Sequence, residues 1–491
     1  MADTGTALHG RLAGTKAATY LRAVNVPEAR ASAITAPIML TTDLAYILSA
    51  CELDLMPRDA ARRLVAAVLQ CLAGLSDRNT STPPGDIVSQ RDKWIAELAD
   101  KDAASWIHLG RNRGESLRSL IPRLFFRDLL HDQGAALTAL VRNLIDKADA
   151  HFEALAPNYH HLQHSGLTTV GEYLLSWAIT FARHAERLSQ VDARLDRGPS
   201  AFGGREQINR LYDKVVARLG FSRRAYLRRD GIWQQDQFTE PFFVLALISV
   251  DLARFAQDLR IWMTPEFSLF ELADAHAGGS SGLPHAKVPF GLQEIVGAGV
   301  MASTRLAGEM ATACAGPSEG SEGLYSSSTL YQAALDCVAN TRYVADIIAQ
   351  GAFQLEEMKR KALLDYAGSS EAHDRLVYDF GVPPKISHRL LGTLVRAHFY
   401  GEDLPDLNAL LQAEVGRAFA VDAQEIMDII LVDIIWPTTF DKAALRRVFE
   451  EVATDAQAMA ARYAGPSPTR IAMDRLIDDA QKMAADDVQN G

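Results

Sequence analysis

The sequence predicts an all-α fold built around a bundle of long helices. Three observations lead there. Apolar residues recur at helical spacing along most of the chain, alternating strand patterns are scarce, and the breaks between periodic stretches collect Gly, Pro and Ser. In chain order, Leu64, Ala67, Val68, Cys71 and Leu72 mark one helix, and Leu137, Leu140, Val141, Leu144 and Ile145 another. Tyr173, Leu174, Trp177, Phe181, Ala185 and Leu188 repeat the pattern over Glu172 to Leu188. A further helix runs from Glu240 to about Met263, entered by Pro241, which a first helical turn tolerates. Another covers about Leu330 to Leu364, rich in Ala, Leu, Glu and Lys. Helices of this length suit a bundle.

The breaks set the organisation. They fall at Ser81-Thr82-Pro83-Pro84-Gly85, at Gly198 to Gly204, at Gly278 to Gly282 and at Gly316 to Ser328. A compositional shift near Ala367 to Asp374, followed by Val382-Pro383-Pro384, sets off a C-terminal unit. The chain therefore reads as an N-terminal helical domain (1–115), a central long-helix bundle (116–365) carrying a loop at 278–289, and a C-terminal helical domain (366–491). Its polar, Ala-rich end reads as a surface helix or a frayed tail.

The totals exclude several classes of partner. The chain has 491 residues, 48% apolar and 23% charged, the balance of a soluble protein with more than one simple core. A net charge of −11 offers no basic excess for nucleic acid. An anionic substrate would need a local cluster of cations. Cys51, Cys71, Cys314 and Cys337 stand far apart, which fits neither a zinc site nor a disulfide framework and leaves reduced thiols in a cytoplasmic protein as the expectation. The N-terminus lacks the apolar core of a signal peptide. The longest apolar run, Phe242 to Val250, falls short of the roughly 20 residues a bilayer crossing needs, so no membrane is expected.

Three segments can carry chemistry. In Ile107-His108-Leu109-Gly110-Arg111-Asn112-Arg113-Gly114-Glu115-Ser116, two arginines flank one residue just before a helical run. Such a stretch can aim cations and helix N-terminal amides at a carboxylate, or it can be a basic surface turn. In Tyr159-His160-His161-Leu162-Gln163-His164, histidines four apart on a helix could ligate a metal, but no HExxH frame and no third ligand accompany them. A structural group or a proton-handling pair remain the alternatives, since histidine titrates near neutrality. In Gly278-Gly279-Ser280-Ser281-Gly282-Leu283-Pro284-His285-Ala286-Lys287, glycines permit close backbone approach, two serines offer hydroxyls, and Lys287 offers a cation. A flexible linker reads the same way, yet this one follows directly on the packed-looking Glu266 to Asp274.

In this order and separation the three segments resemble argininosuccinate lyase, within the aspartase/fumarase superfamily. The arginine segment resembles that family's H-T-G-R-S-R-N-D, His160-His161-Leu162-Gln163 its T-H-L-Q, and Glu266 to Pro289 its serine signature loop ending S-S-L-M-P-Q-K-K-N-P. Ala217-Arg218-Leu219-Gly220-Phe221 and Gly381-Val382-Pro383-Pro384-Lys385-Ile386-Ser387-His388 add weaker similarities, so that the match spans roughly residues 40 to 395. The resemblance implies a three-domain, almost wholly helical subunit, and a homotetramer whose long helices form a twenty-helix core with active sites shared between subunits. It also implies β-elimination from a small carboxylate substrate, without a cofactor or metal.

Carried over by position, the resemblance implies Ser280 as the base, with His161 and Lys287 beside it in catalysis. Arg111, Asn112, Arg113, His160, Gln163, Ser281 and Gln293 would hold the substrate. The departures sit on those contacts. Ala286 stands where the loop lysine belongs, with Lys287 one residue late, and Val288 replaces the loop asparagine. His160 replaces a threonine, Gly114 an asparagine, and Gln293 a glutamate. The family's D-R-D triplet reads Gln235-Asp236-Gln237, and Gly316 to Ser328 occupies the place of N-K-D-L-Q-E. Each lost partner costs ~1–3 kcal/mol of recognition, so the expectation is a lyase with a changed substrate. The alternatives are a superfamily member of a different reaction type (a cycloisomerase or a condensation) and a catalytically silent scaffold.

Overall fold

The computed structural model describes residues 17–25, 30–77, 87–111, 113–200, 205–315, 327–417, 419–431 and 441–485. Asn112 and the breaks at 81–85, 201–204 and 316–326 lie outside them. The N-terminal helices are α1 (Ser32–Glu52), α2 (Arg58–Ala73) and α3 (Ile87–Leu98). Next come α4 (Ile121–Ala150), the hairpin β1 (Leu155–His160) and β2 (Gln163–Thr169), and α5 (Val170–Leu195). Then follow α6 (Glu206–Arg218), α7 (Asp236–Trp262), β3 (Phe270–Glu271), α8 (Phe290–Ala315), α9 (Ser327–Gln350), β4 (Ala352–Phe353) and α10 (Leu355–Ala362). The chain ends with α11 (Pro384–Tyr400), α12 (Leu407–Val415), α13 (Ala423–Ile430), α14 (Lys442–Arg462) and α15 (Pro468–Ala485).

Helices α4, α5, α7, α8 and α9 form the central bundle. Helix α4 packs on α5 and α9, and α7 on α8, α9 and α5. Leu137, Leu140, Val141 and Leu144 of α4 meet Leu174, Phe181 and Leu188 of α5 in one apolar core, all fully or almost fully buried. Burying each such side chain contributes ~1.5–3 kcal/mol.

The two ends of the bundle are distinct. At one end Arg123 of α4 donates to Gln237 of α7 at 2.6 Å, and Phe125 meets Tyr331 of α9 at 4.6 Å. At the other, Lys147 of α4 donates to the Gly351 carbonyl at 3.0 Å. Helix α7 spans 27 residues between them, about 40 Å.

Several expectations need correction. The Tyr159–His164 segment is not a helix: His160 pairs with Gln163 across a two-residue turn in which His161 and Leu162 have φ of 53° and 60°. Two consecutive left-handed residues form the turn that matches strand twist, so His160 and His164 never share a helical face. The helix expected to run unbroken to Leu364 stops at Gln350. A Cβ at Gly351 would lie 2.4 Å from the Phe270 ring, and the chain turns there to pair β4 with β3. Pro241 sits inside α7, which already begins at Asp236.

The three apolar cores also depart from the expected boundaries. The N-terminal core takes in α1 to α3 but also Leu211, Tyr212 and Val215 of α6 and Leu476 and Ala480 of α15. The separate C-terminal core involves residues 372–430, after which α14 returns to the central bundle. Residues 468–485 form α15, the surface helix of the two readings offered, packed on α2 and α1.

Helix α1 carries no amphipathic period in the sequence, because it is buried on nearly all sides. It is long and apolar enough to cross a membrane by length and composition, but 78% of that window is buried inside the subunit. Helices α2, α6 and α15 cover it, which accounts for the apolarity.

Candidate functional site

The arginine segment sits at the end of the bundle where α4 and α7 begin. Gly110 turns the chain with φ of +74°, and a side chain there would press on Leu211 at 3.0 Å. This turn drives Arg111 inward. Its guanidinium, 2% exposed, donates to Asp43 of α1 and lies over the Tyr46 ring, 4.7 Å from its centre. Asp43 also accepts from Arg91 at 2.7 Å, Arg91 reaches Asp92 at 2.8 Å, and Asp92 meets His108 Nε2 at 2.9 Å. Burial works against the Arg111 charge, but Asp43 outweighs it and holds the guanidinium above its ordinary range. Burial likewise raises Asp92, and His108 and Arg91 pull it below the usual carboxylate value.

Beside this chain of charges lies Glu115, fully buried. The hydroxyls of Tyr46 and Tyr212 both donate to its carboxyl group. Burial pushes Glu115 up to about 8 against the opposing pull of Tyr46 and Arg111, and burial and Glu115 push Tyr46 well above 10.0. Asp43 and Asp92 thus face Arg91 and Arg111, with His108 at the end of the chain of contacts. Arg111 is held in a buried ion pair with Asp43, while its Nη1 meets no hydrogen-bond partner among the described residues. Arg113, two residues on, is exposed.

The histidine hairpin lies at the opposite end. Tyr159 packs edge-on against Phe267 at 5.3 Å, His164 Nδ1 reaches the Leu364 carbonyl at 3.2 Å, and Thr169 caps α5 by accepting from the Glu172 amide at 3.0 Å. These contacts hold the turn outward. His160, His161 and Gln163 are all exposed, and the His161 ring has no partner among the described residues.

The serine loop leaves the same end. Gly278 and Val288 exchange two backbone hydrogen bonds of 2.8 Å, closing the loop's stem, and a Cβ at Gly278 would lie 2.2 Å from the Phe290 ring. Lys287 is fixed at that stem by Asp274 at 2.8 Å and Glu271 at 3.0 Å. Asp274 and Glu271 raise its pKa above the ordinary lysine value, and both of its ion pairs lie at the loop stem. Ser280 is half-buried and its hydroxyl has no hydrogen bond among the described residues, while Ser281 and Gln293 are exposed. The loop is locked at its stem and open at its tip.

Within one subunit the sequence-predicted residues thus fall into two groups. His160, His161, Gln163, Ser280, Ser281, Lys287 and Gln293 belong to one end of the bundle, and Arg111 and Arg113 to the other. Asp43, Tyr46 and Tyr212 were missed by sequence reasoning, although the lone acid in Thr41-Thr42-Asp43-Leu44-Ala45-Tyr46 is a signal that an apolar helix carries a buried charge.

The family described as "Lyase" matches residues 65–303, a span that contains all three segments. An argininosuccinate lyase of Methanocorpusculum labreanum is 26% identical over 404 residues, 81% of each protein. The fold superposes on that of EDDS lyase, solved in complex with formate, with a TM-score of 0.78 over 98% of this chain and 99% of that one at 20% identity. A variant of EDDS lyase solved with bound fumarate superposes equally well. At that identity the structural likeness establishes the fold. The chain is thus similar in sequence to this lyase family over residues 65–303 and, more distantly, to argininosuccinate lyases.

Proposed function

We propose that the protein is a C–N lyase acting on a carboxylate-bearing, succinylated amine-type substrate and releasing fumarate or a related unsaturated acid. The same chemistry run backwards would add an amine to that acid. The observation that carries the reading is Ser280: a half-buried serine whose hydroxyl meets no partner among the described residues, on a loop pinned at its stem and open at its tip. Such a loop can close over a ligand and exclude water.

In the proposed step the Ser280 alkoxide takes a proton from the carbon next to a carboxylate. The electron pair passes into an aci-carboxylate, which collapses to the double bond as the C–N bond breaks. The departing amine takes a proton, for which His161 on its exposed turn is the candidate donor. Arg113 and Asn112 hold the carboxylates, with Gln163, Ser281, His160 and Gln293 contacting the rest. Relatives that act on argininosuccinate and EDDS, and the fumarate bound by the EDDS lyase variant, support this substrate class. The altered recognition positions support a different leaving amine.

We further propose a homotetramer. Helix α8 buries one stripe against α7 and leaves Val300, Met301 and Met310 exposed, with Phe243 of α7 and Leu335 of α9 exposed as well. An apolar face of this kind marks an interface. Antiparallel packing of neighbouring bundles would carry Arg113 of one subunit to His161 and Ser280 of others. The four free cysteines fit a cytoplasmic setting.

The test is a panel of succinylated amines, EDDS and argininosuccinate among them, followed by the ultraviolet absorbance of released fumarate. Turnover that falls at least about a hundredfold in Ser280→Ala supports the reading. Equal turnover by wild type and variant removes the serine from the reaction.

A further inference from the structure

Behind the histidine hairpin, the hairpin and the end of α7 enclose a cavity of about 310 Å³. Tyr159 and Phe267 line one side with ring centres 5.3 Å apart, and Tyr173 and Trp262 the other at 4.5 Å. Asp258 points into this aromatic space, and His161 stands at its rim. The Asp258 carboxylate accepts one hydrogen bond, from the Tyr173 hydroxyl at 3.0 Å, and has no ion-pair partner among the described residues. Arg254, one turn earlier on α7, forms its ion pair with Asp251 at 2.9 Å and lies over the Trp177 ring at 5.7 Å, so its charge reaches Asp258 only through space. Burial pushes the Asp258 carboxyl up from its ordinary value, and the Tyr173 hydrogen bond and the Arg254 charge offset this only in part.

We propose that this cavity is a binding site for a small organic ammonium ion, with Asp258 supplying the countercharge and the four rings the walls. A carboxylate with one hydrogen bond and no direct ion pair at a partly desolvated site is costly, and a bound cation reduces that cost. Aromatic faces attract cations through their quadrupoles, most strongly where water is excluded. Anions are repelled by Asp258. A metal ion finds too few ligands, because no cluster of three His, Cys, Asp or Glu side chains exists among the described residues. Phe267 already meets one cation in this way, with the Lys361 ammonium 5.8 Å from its ring centre. The proposal stands apart from the elimination reading in that Ser280 and Arg113 contribute nothing to the cavity, although His161, the proposed proton donor, stands at its rim.

The test is isothermal titration calorimetry of the full chain with butylammonium chloride, 1-butanol, and sodium chloride at matched ionic strength. Saturable butylammonium binding at least about tenfold tighter than that of 1-butanol is expected. The same loss is expected in Asp258→Asn, whose fold is checked by circular dichroism. Ser280→Ala should bind as wild type does, even if the proposed elimination chemistry fails its own test. No saturable butylammonium heat, equal affinity for the alcohol, or unchanged binding by a folded Asp258→Asn overturns the proposal. The alcohol comparison uses wild type alone and so decides the matter even if that variant does not fold.

Discussion

Glu115 shows how a single residue can tie stability to pH. Its carboxyl group has a folded value of about 8 against an ordinary 4.5. Between those values the unfolded chain has lost the proton while the folded one keeps it, so stability falls by about 1.4 kcal/mol per pH unit as pH rises. Glu115→Gln cannot ionise and removes that dependence. Urea midpoints of the two proteins should coincide near pH 4.5 and diverge in favour of the variant up to pH 8. Parallel curves would show that Glu115 is ionised in the folded state. The neighbouring arginines should separate in the same measurements. Arg111→Ala leaves Asp43 half-paired in a buried site and should cost ~3–5 kcal/mol. Arg113→Ala, at an exposed position, should change stability by no more than about 0.5 kcal/mol while lowering kcat/KM. Both arginines have the same prominence in the sequence. Only the turn at Gly110 decides which faces inward, and the partner that holds it, Asp43, lies 68 residues away.

At the scale of elements, legibility followed amphipathicity. Helices α2, α4, α5 and α7 were readable because each has a wet and a dry face, and their apolar positions repeat at helical spacing. Helix α1 has no wet face, so periodicity is silent there. The hairpin was read as a helix because four polar residues around Leu162 carry no period of either kind. Its defining property is backbone conformation, two successive positive φ angles at residues that are not glycine. A left-handed conformation costs such residues roughly 1 kcal/mol each. Leu162 is 57% exposed and buries little in return. Leu162→Gly should therefore keep turnover and raise the thermal midpoint slightly, as the strain is relieved without loss of packing. His161→Gly relieves the same strain but should abolish turnover, because it removes the proposed proton donor. If both variants keep full activity, the turn serves architecture alone.

The whole molecule poses the question that no single subunit answers. Arg113 stands at one end of a bundle about 40 Å long, and His161 and Ser280 at the other. No loop closure within the subunit spans that distance, so a site using all three must draw them from different copies of the chain. The expectation of shared sites came from family resemblance, and the bundle supplies a geometric reason for it. It also yields a prediction that an enzyme with self-contained sites would fail. Ser280→Ala and Arg113→Ala should each be nearly inactive alone. In randomly mixed tetramers, a site drawing its serine from one subunit and its arginine from another receives both wild-type residues about one time in four. Co-expression of differently tagged variants, with mixed tetramers isolated by tandem affinity, should recover up to about a quarter of wild-type turnover. The companion variant Met301→Glu places a charge on the exposed α8 face and should yield smaller, inactive species by light scattering. Mixed tetramers as inactive as their parents would mean that Ser280 and Arg113 do not serve the same site, and that the cation facing the substrate must be sought at the hairpin end.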